Sequence, residues 1–328
     1  MLSRTPFRRL SDTLGPSGQE GDDNAIGWRS PYVASIGVVI VGLALSFSAW
    51  FAVLQRENRL AHEEFDARAG DHFLVLQNGI DQYINDISAL RAAFQASEHG
   101  IGRREFQSFS DHLFRDQTAI FAASWIPRVT RDQRSAHELE AAREGLSGYG
   151  IRSVAADGSL SPAGEASEYF PIFYSSREIP DASVYGIDLN DGGIRQRPLE
   201  RARDEDRAAA SPNFVLRRGE GDRNGFFVVL PVYRPGLPHD TVEDRRRNLV
   251  GFAQGVFQTG LMIENILTTM TTAAGLDLYF FAEGSRTGAS PLYFHRSRAR
   301  TGPSAPLSRT ALAEGLHWSG NLKVADRR

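Results

Sequence analysis

Between Arg29 and Arg56 the chain carries no charged residue, a stretch that few water-soluble folds could accommodate. From Tyr32 to Leu54 it reads YVASIGVVIVGLALSFSAWFAVL, 23 residues, or about 34 Å as an α-helix. A hydrocarbon core of about 30 Å needs about 20 apolar residues, so this segment can span a bilayer with slight tilt. Tyr32 and Trp50 stand near its ends, where amphipathic rings favour the interface. A buried core helix of this length would keep a polar face. A cleavable signal, for which Ser46-x-Ser48 offers small residues, would have an apolar region of only about 7–15 residues. Residues 32–54 are therefore expected to be a retained transmembrane helix.

Its flanks bear on orientation. Arg4, Arg8, Arg9 and Arg29 precede it, and Arg56, Arg59 and Arg68 follow. Short flanks obey the positive-inside rule, whereas long domains cross largely regardless of charge. The tail, residues 1–31, is thus expected in the cytoplasm and the bulk of the chain outside. Residues 11–27 are polar and Gly-rich, a composition that cannot bury enough apolar surface to order itself. Net charge is −3, and the single basic run Arg245-Arg246-Arg247 is short, so nothing suits nucleic acid. Cysteine is absent, which removes disulfides, thiolate nucleophiles and Cys-based metal sites.

Beyond the span, Phe73, Leu76, Ile80, Tyr83, Ile87, Leu90 and Phe94 recur at steps of three and four. They predict one apolar seam on a long helix from about Asn58 to Gly100. The seam has two readings: it packs on the domain that follows, or it also pairs with a second copy, giving a homodimer through a stalk helix. Phe106, Phe109, Leu113 and Phe114 mark a shorter amphipathic helix. From Ala119 the pattern is α+β. Strands are expected at 119–125, 149–154, 168–174, 212–217, 225–233, 249–258, 277–282, 291–295 and 317–324. Helices are expected at 131–144, opened by a Thr130-x-x-Gln133 capping box, at 194–203 and at 260–273. Strands without regular βαβ alternation predict antiparallel sheets flanked by helices.

The chemistry is sparse. None of the eight histidines has the i, i+4 spacing with an adjacent Glu of a zinc hydrolase helix. The only lysine, Lys323, lies five residues from the C-terminus, so no P-loop exists, and no G-x-S-x-G elbow occurs. DLNDGG at 188–193 resembles a calcium loop, but the twelfth position is Leu199 rather than a bidentate carboxylate. It reads as an Asx-Gly turn. No catalytic residue, metal or cofactor is expected.

What remains distinctive is an ordered set of segments: WIPRV at 125–129, EYFPIFY at 168–174, YGIDL at 185–189, RQRPLERARDEDRAAASPNF at 195–214, GFFVVLPVY at 225–233 and LVGFAQGVF at 249–257. In this order and at these spacings they resemble the CHASE domain, the extracellular sensor of bacterial diguanylate cyclases and histidine kinases and of plant cytokinin receptors. The resemblance covers about residues 115–275. It implies an α+β fold, with a long N-terminal stalk helix and two PAS-like subdomains, and ligand held in the membrane-distal one. The implied layout is tail 1–31, transmembrane helix 32–54, stalk and short helix 55–114, sensor 115–275, and a membrane-proximal part at 276–328. The chain is then expected to be the front of a longer receptor at the cell membrane, its sensor periplasmic or extracellular, and its output cyclase, phosphodiesterase or kinase outside these residues. An anchored binding or scaffold protein is the alternative.

Carried over residue by residue, the resemblance implies ligand-binding roles for nine positions. They are Trp125 of W-x-x-R-V; Tyr169 and Pro171 of the Y-x-P strand; Asp188 of G-x-D; Arg195 before the A-R helix; Ser211 and Phe214 on the next strand; and Phe227 and Tyr233 of the G…P-V-Y strand. Aromatic walls with one hydroxyl and few carboxylates suit a small planar or apolar molecule. Two departures argue against an adenine-type ligand. Ser167 stands where cytokinin receptors carry an Asp, and Glu205-Asp206 where they carry Thr-Gly. The ligand is left unidentified.

Overall fold

The computed structural model describes residues 31–97, 100–115, 118–155, 158–176, 184–190, 192–216, 223–270, 275–286, 288–297 and 305–327. All but the last residue of the expected tail falls outside them. The chain divides into two compact units, Met1–Ala61 and His62–Arg328.

Helix α1 runs Pro31–Ala96. Its residues 34–61 are exposed throughout, including Phe47 at 63% and Trp50 at 58%. Water would penalise a contiguous apolar surface of this kind. By length and composition α1 can cross a membrane.

In the second unit, the apolar seam of α1 turns inward. Leu76, Ile80, Ile87, Leu90 and Phe94 are buried in the main core. They pack against a six-stranded antiparallel sheet in the order β6-β1-β10-β9-β7, with β8 also paired to β9. The strands are β1 (Ile120–Pro127), β6 (Tyr174–Ser175), β7 (Ala209–Ala210), β8 (Phe214–Leu216), β9 (Arg223–Tyr233) and β10 (Leu249–Gln258), while β2 (Val129–Thr130), β3 (Arg152–Val154) and β4 (Leu160–Pro162) belong to small two-stranded sheets. β-Branched and aromatic residues are frequent in the three long strands and suit a pleated surface covered on both sides. Two glycines let α1 sit close. A Cβ on Gly255 of β10 would lie 2.6 Å from Ile87 Cδ1, and one on Gly79 would lie 2.6 Å from Ile266 Cγ1. The reading in which the seam packs on its own domain is the one observed.

Around this sheet lie α2 (Arg103–Phe114), α3 (Arg134–Arg143), α4 (Gln196–Glu205), α5 (Val242–Asn248) and α6 (Thr259–Thr268). The expected box at Thr130 forms, with Gln133 Oε1 accepting from the Thr130 backbone N–H at 3.2 Å. It opens a short 3-10 turn ahead of α3. Helix α5 escaped the periodicity because it is polar; Thr241 caps it, its Oγ1 accepting from Asp244 N at 3.1 Å. The helix expected at 260–273 is α6, and residues 271–274 lie outside the described ones.

Two strand expectations change. The run 168–174 breaks into β5 (Glu168–Tyr169) and β6, because Pro171 has no N–H to give a ladder. Its middle is stitched instead to 186–189: Ile172 N donates to Ile187 O at 3.0 Å and Gly186 N to Ile172 O at 2.8 Å. The run 317–324 forms no strand. Its backbone lies along α1, where no strand edge is offered. The Gln77 side chain supplies both bonds, accepting from Lys323 N at 2.8 Å and donating to Lys323 O at 3.0 Å.

A two-stranded sheet, β11 (Leu278–Phe280) with β12 (Tyr293–His295), follows α6. Glu264 of α6 holds it, accepting from Tyr293 Oη and lying 2.7 Å from His295 Nδ1. The architecture is the expected mixture: a long N-terminal helix with antiparallel sheets flanked by helices.

Candidate ligand-binding face

The six-stranded sheet has two faces, and strand alternation assigns every side chain to one of them. One meets α1. Trp125 belongs there: it pairs in register with Ala253 and Tyr174 and stacks on Phe94 at 3.9 Å between centroids. The opposite face carries Ile126, Phe227, Val229, Tyr233, Leu249 and Phe252, packed with Phe170, Ile172, Leu189, Leu199 and Ala202. Trp125 is thus set apart from Phe214, Phe227 and Tyr233 by the thickness of the sheet, because an odd position on β1 faces the helix.

Several of those residues turn out to build the segments that cover the second face. Asp188 is buried, and its Oδ1 accepts from Phe170 N at 2.7 Å and Asn190 N at 3.0 Å. The second bond is the Asx turn read from DLNDGG. Two places earlier, Gly186 has φ +83°, and a Cβ there would meet Gly150 O at 2.2 Å, so the G-x-D pattern has a backbone reason. Pro171 bridges to Asp188 in the same layer. Tyr169 sits in a separate small cluster with Val129, Ile151 and Ala163. Its hydroxyl donates to Gly164 O and accepts from Ala166 N, both at 2.9 Å, while the Arg134 guanidinium lies over its ring at 5.1 Å. The Arg of W-x-x-R-V, Arg128, donates to Glu168 Oε2 at 2.7 Å. Glu168 also lies 3.7 Å from Arg203.

The structure brings Phe214, Phe227 and Ser211 together, whereas Tyr233 lies six residues further along β9, about 20 Å from Phe227. Phe214 and Phe227 are 6.1 Å apart between ring centroids. Tyr233 donates to Arg203 O at 2.6 Å and stacks on His239; burial pushes its phenol well above the usual range. Ser211 is buried, and its hydroxyl is already engaged: it donates to Pro212 O at 2.8 Å and accepts from Phe227 N at 3.0 Å. Arg195 stands half-buried at the N-terminal boundary of α4.

The polar groups that the sequence reading missed run from the β6 edge of the sheet to its centre. Ser175 of β6 pairs with Ser124 of β1, which pairs with Gln254 of β10, which pairs with Val229 of β9. Because register partners share a face, these form one row across the loop-covered side. Gln254 is 2% exposed, Ser124 3% and Ser175 4%. Gln254 Oε1 and Ser175 Oγ have no hydrogen-bond partner among the described residues. One signal was available: Gln254 interrupts an otherwise apolar strand, LVGFAQGVF.

At one end of this face Asp204 lies between Arg203 and Arg246, at 2.7 and 2.5 Å. These hydrogen bonds, Arg246 foremost, hold its carboxyl down at about 2. Among the described residues no group of three His, Asp or Glu could hold a metal ion.

The chain is similar to several known proteins. A profile of the CHASE domain matches residues 99–293. Hybrid signal transduction histidine kinase A of Dictyostelium discoideum is 26% identical over 286 residues, 83% of this chain and 13% of that protein. Probable histidine kinase 4 of Oryza sativa subsp. japonica is 25% identical over 300 residues, 88% of this chain and 28% of that protein. The chain therefore corresponds to well under half the length of these relatives. Among solved structures, the periplasmic sensory domain of the Campylobacter jejuni chemoreceptor Tlp1 aligns with a TM-score of 0.36 and 9% identity, covering 64% of this chain and 63% of that one. The ligand-binding domain of a Pseudomonas aeruginosa amino acid chemoreceptor in complex with GABA aligns with a TM-score of 0.32 and 12% identity, covering 66% and 70%.

Proposed function

The chain belongs to the CHASE domain family, and from that premise we propose that it is a membrane-anchored extracytoplasmic sensor. It binds a small molecule on the loop-covered face of the six-stranded sheet and signals across the membrane to a cytoplasmic cyclase, phosphodiesterase or kinase that these residues do not include. The observation that carries this reading is the conjunction of a sensor-family match over 99–293 with one exposed apolar helix ahead of it. CHASE is a sensor domain and not a catalytic one, which agrees with the sparse chemistry. Residues 1–31 form the cytoplasmic tail, 32–54 the anchor, 55–114 the stalk and short helix, 115–275 the sensor and 276–328 a membrane-proximal part.

The same reading includes a homodimer through α1. Since the seam residues Ile80 and Ile87 are spent on the chain's own core, pairing would use the opposite side of the helix, where Leu74 is 57% exposed. An alkaline-phosphatase fusion after residue 275 tests the topology. It is expected to be active in cells with the chain retained in the membrane fraction. Activity of a cytoplasmic reporter at the same junction would refute the extracytoplasmic placement, and release of the domain into the periplasm would refute the anchor.

A further inference from the structure

We propose that the row Ser175–Ser124–Gln254 is the reading surface of the binding site. It takes a neutral ligand that presents adjacent hydrogen-bond donor and acceptor atoms, as a carboxamide or lactam does, on an apolar body. This deepens the sensor reading and rests on it.

Burial makes the row costly. An amide or hydroxyl taken from water without a partner costs about 1–3 kcal/mol, and buried polar groups in folded proteins are nearly always paired. Gln254 Oε1 and Ser175 Oγ are buried and unpaired among the described residues. Their strand neighbours on this face, Phe252, Val256 and Phe227, are apolar, so a Leu or Val at 254 would fit the local pattern better. Sites that break the local rule in this way are where function is expected to reside.

The chemistry of the row selects the ligand class. A glutamine amide sets one acceptor beside two donors in a plane, and a serine hydroxyl both donates and accepts. That edge matches a group with its own donor and acceptor side by side. Among the described residues, the charged groups beside this face already have partners; the Arg152 guanidinium donates to Tyr185 O. The carboxylate of Asp188 is occupied by two backbone N–H groups. Arg128 and Arg203, in the segments flanking this face, are engaged with Glu168 and Asp204. A charged ligand would lose its hydration without a counter-charge, whereas a neutral edge loses little and satisfies the row.

The test uses the full chain in lipid nanodiscs with three probes sharing one ring: benzamide, which carries the edge; benzoate, which is charged; and N,N-dimethylbenzamide, which lacks the donors. Thermal melts of wild type, Gln254→Leu and Ser175→Ala are compared. Benzamide at millimolar concentration is expected to raise the wild-type Tm by roughly 2 °C, with smaller shifts from the other two. Both variants should melt at or above the unliganded wild type, and Gln254→Leu should lose the preference for benzamide. A fall of several degrees in unliganded Gln254→Leu, or a benzamide shift that survives it, overturns the proposal. If all three probes stabilise wild type and variants alike, the face binds ligand without reading an edge; the row fails and the sensor reading stands. If none does, the row fails, and the sensor reading is judged by the reporter fusion alone.

Discussion

His137 shows how one buried side chain sets a pH dependence. Its Nε2 lies 2.9 Å from Tyr149 Oη, and its ring packs on Phe173. Desolvation lowers its pKa to about 4, and the neighbouring Glu138 carboxylate opposes that shift without cancelling it. Unfolding returns the ring to about 6.5, so between these values the unfolded chain binds more protons than the folded one. Stability is therefore complete above about pH 6.5 and falls as pH drops toward 4, the loss reaching roughly 2 kcal/mol at pH 5. Urea melts of wild type across pH 4–7 should show that slope, and His137→Gln, which keeps a partner for Tyr149, should flatten it. An unchanged slope in the variant would mean that another group titrates. Residue types were readable at this scale, but their use was not. Ser211 reads as a ligand hydroxyl on its strand, yet it spends both its bonds on backbone. Gln254, read merely as part of a strand, is left with an unpaired acceptor.

At the scale of elements, periodicity succeeded where packing supports it. The three-and-four spacing from Phe73 to Phe94 describes a real buried seam, and the apolar runs 225–233 and 249–258 describe β9 and β10. The contact between helix and sheet depends on Gly255, whose missing side chain admits Ile87. Gly255→Ala is expected to destabilise by about 1–3 kcal/mol through overpacking, and Ile87→Val should recover part of that loss by removing a methyl group. Denaturant melts of the two single variants and the double variant measure the coupling. Additive losses would show that α1 does not sit on β10 as described. The segments 168–174 and 317–324 were misread for a common reason. An apolar or alternating run indicates burial, but a ladder also needs a strand edge and free N–H groups. Pro171 lacks the N–H, and Lys323 meets the Gln77 amide in place of a strand.

For the whole molecule, the side of α1 that faces outward decides how two copies could meet. The chain has no native cysteine, so single cysteines report cleanly. In membranes, cysteines at the exposed positions Leu74, Asn78 and Asp81 are expected to crosslink between copies, and cysteines at Ile80 and Ile87 are not. Crosslinking at Ile87 in folded protein would contradict its place in the core. Its absence at all three exposed positions would exclude a dimer through this helix. A ligand can bias such a dimer only by binding one arrangement better than another, so bound ligand should alter the crosslinking rates.

The sequence by itself determined the apolar span, the seam, the mixed helix-and-sheet class and the family, because each is a periodicity or an ordered set of segments that survives without coordinates. Only the tertiary structure decided which face of the sheet each residue occupies. It set Trp125 against Phe94, gave Asp188 to the backbone of Phe170 and Asn190, and lined Ser175, Ser124 and Gln254 across three strands. The physical reason is register. β1 and β10 are separated by more than a hundred residues of chain, and nothing local to either states which side chains will lie opposite.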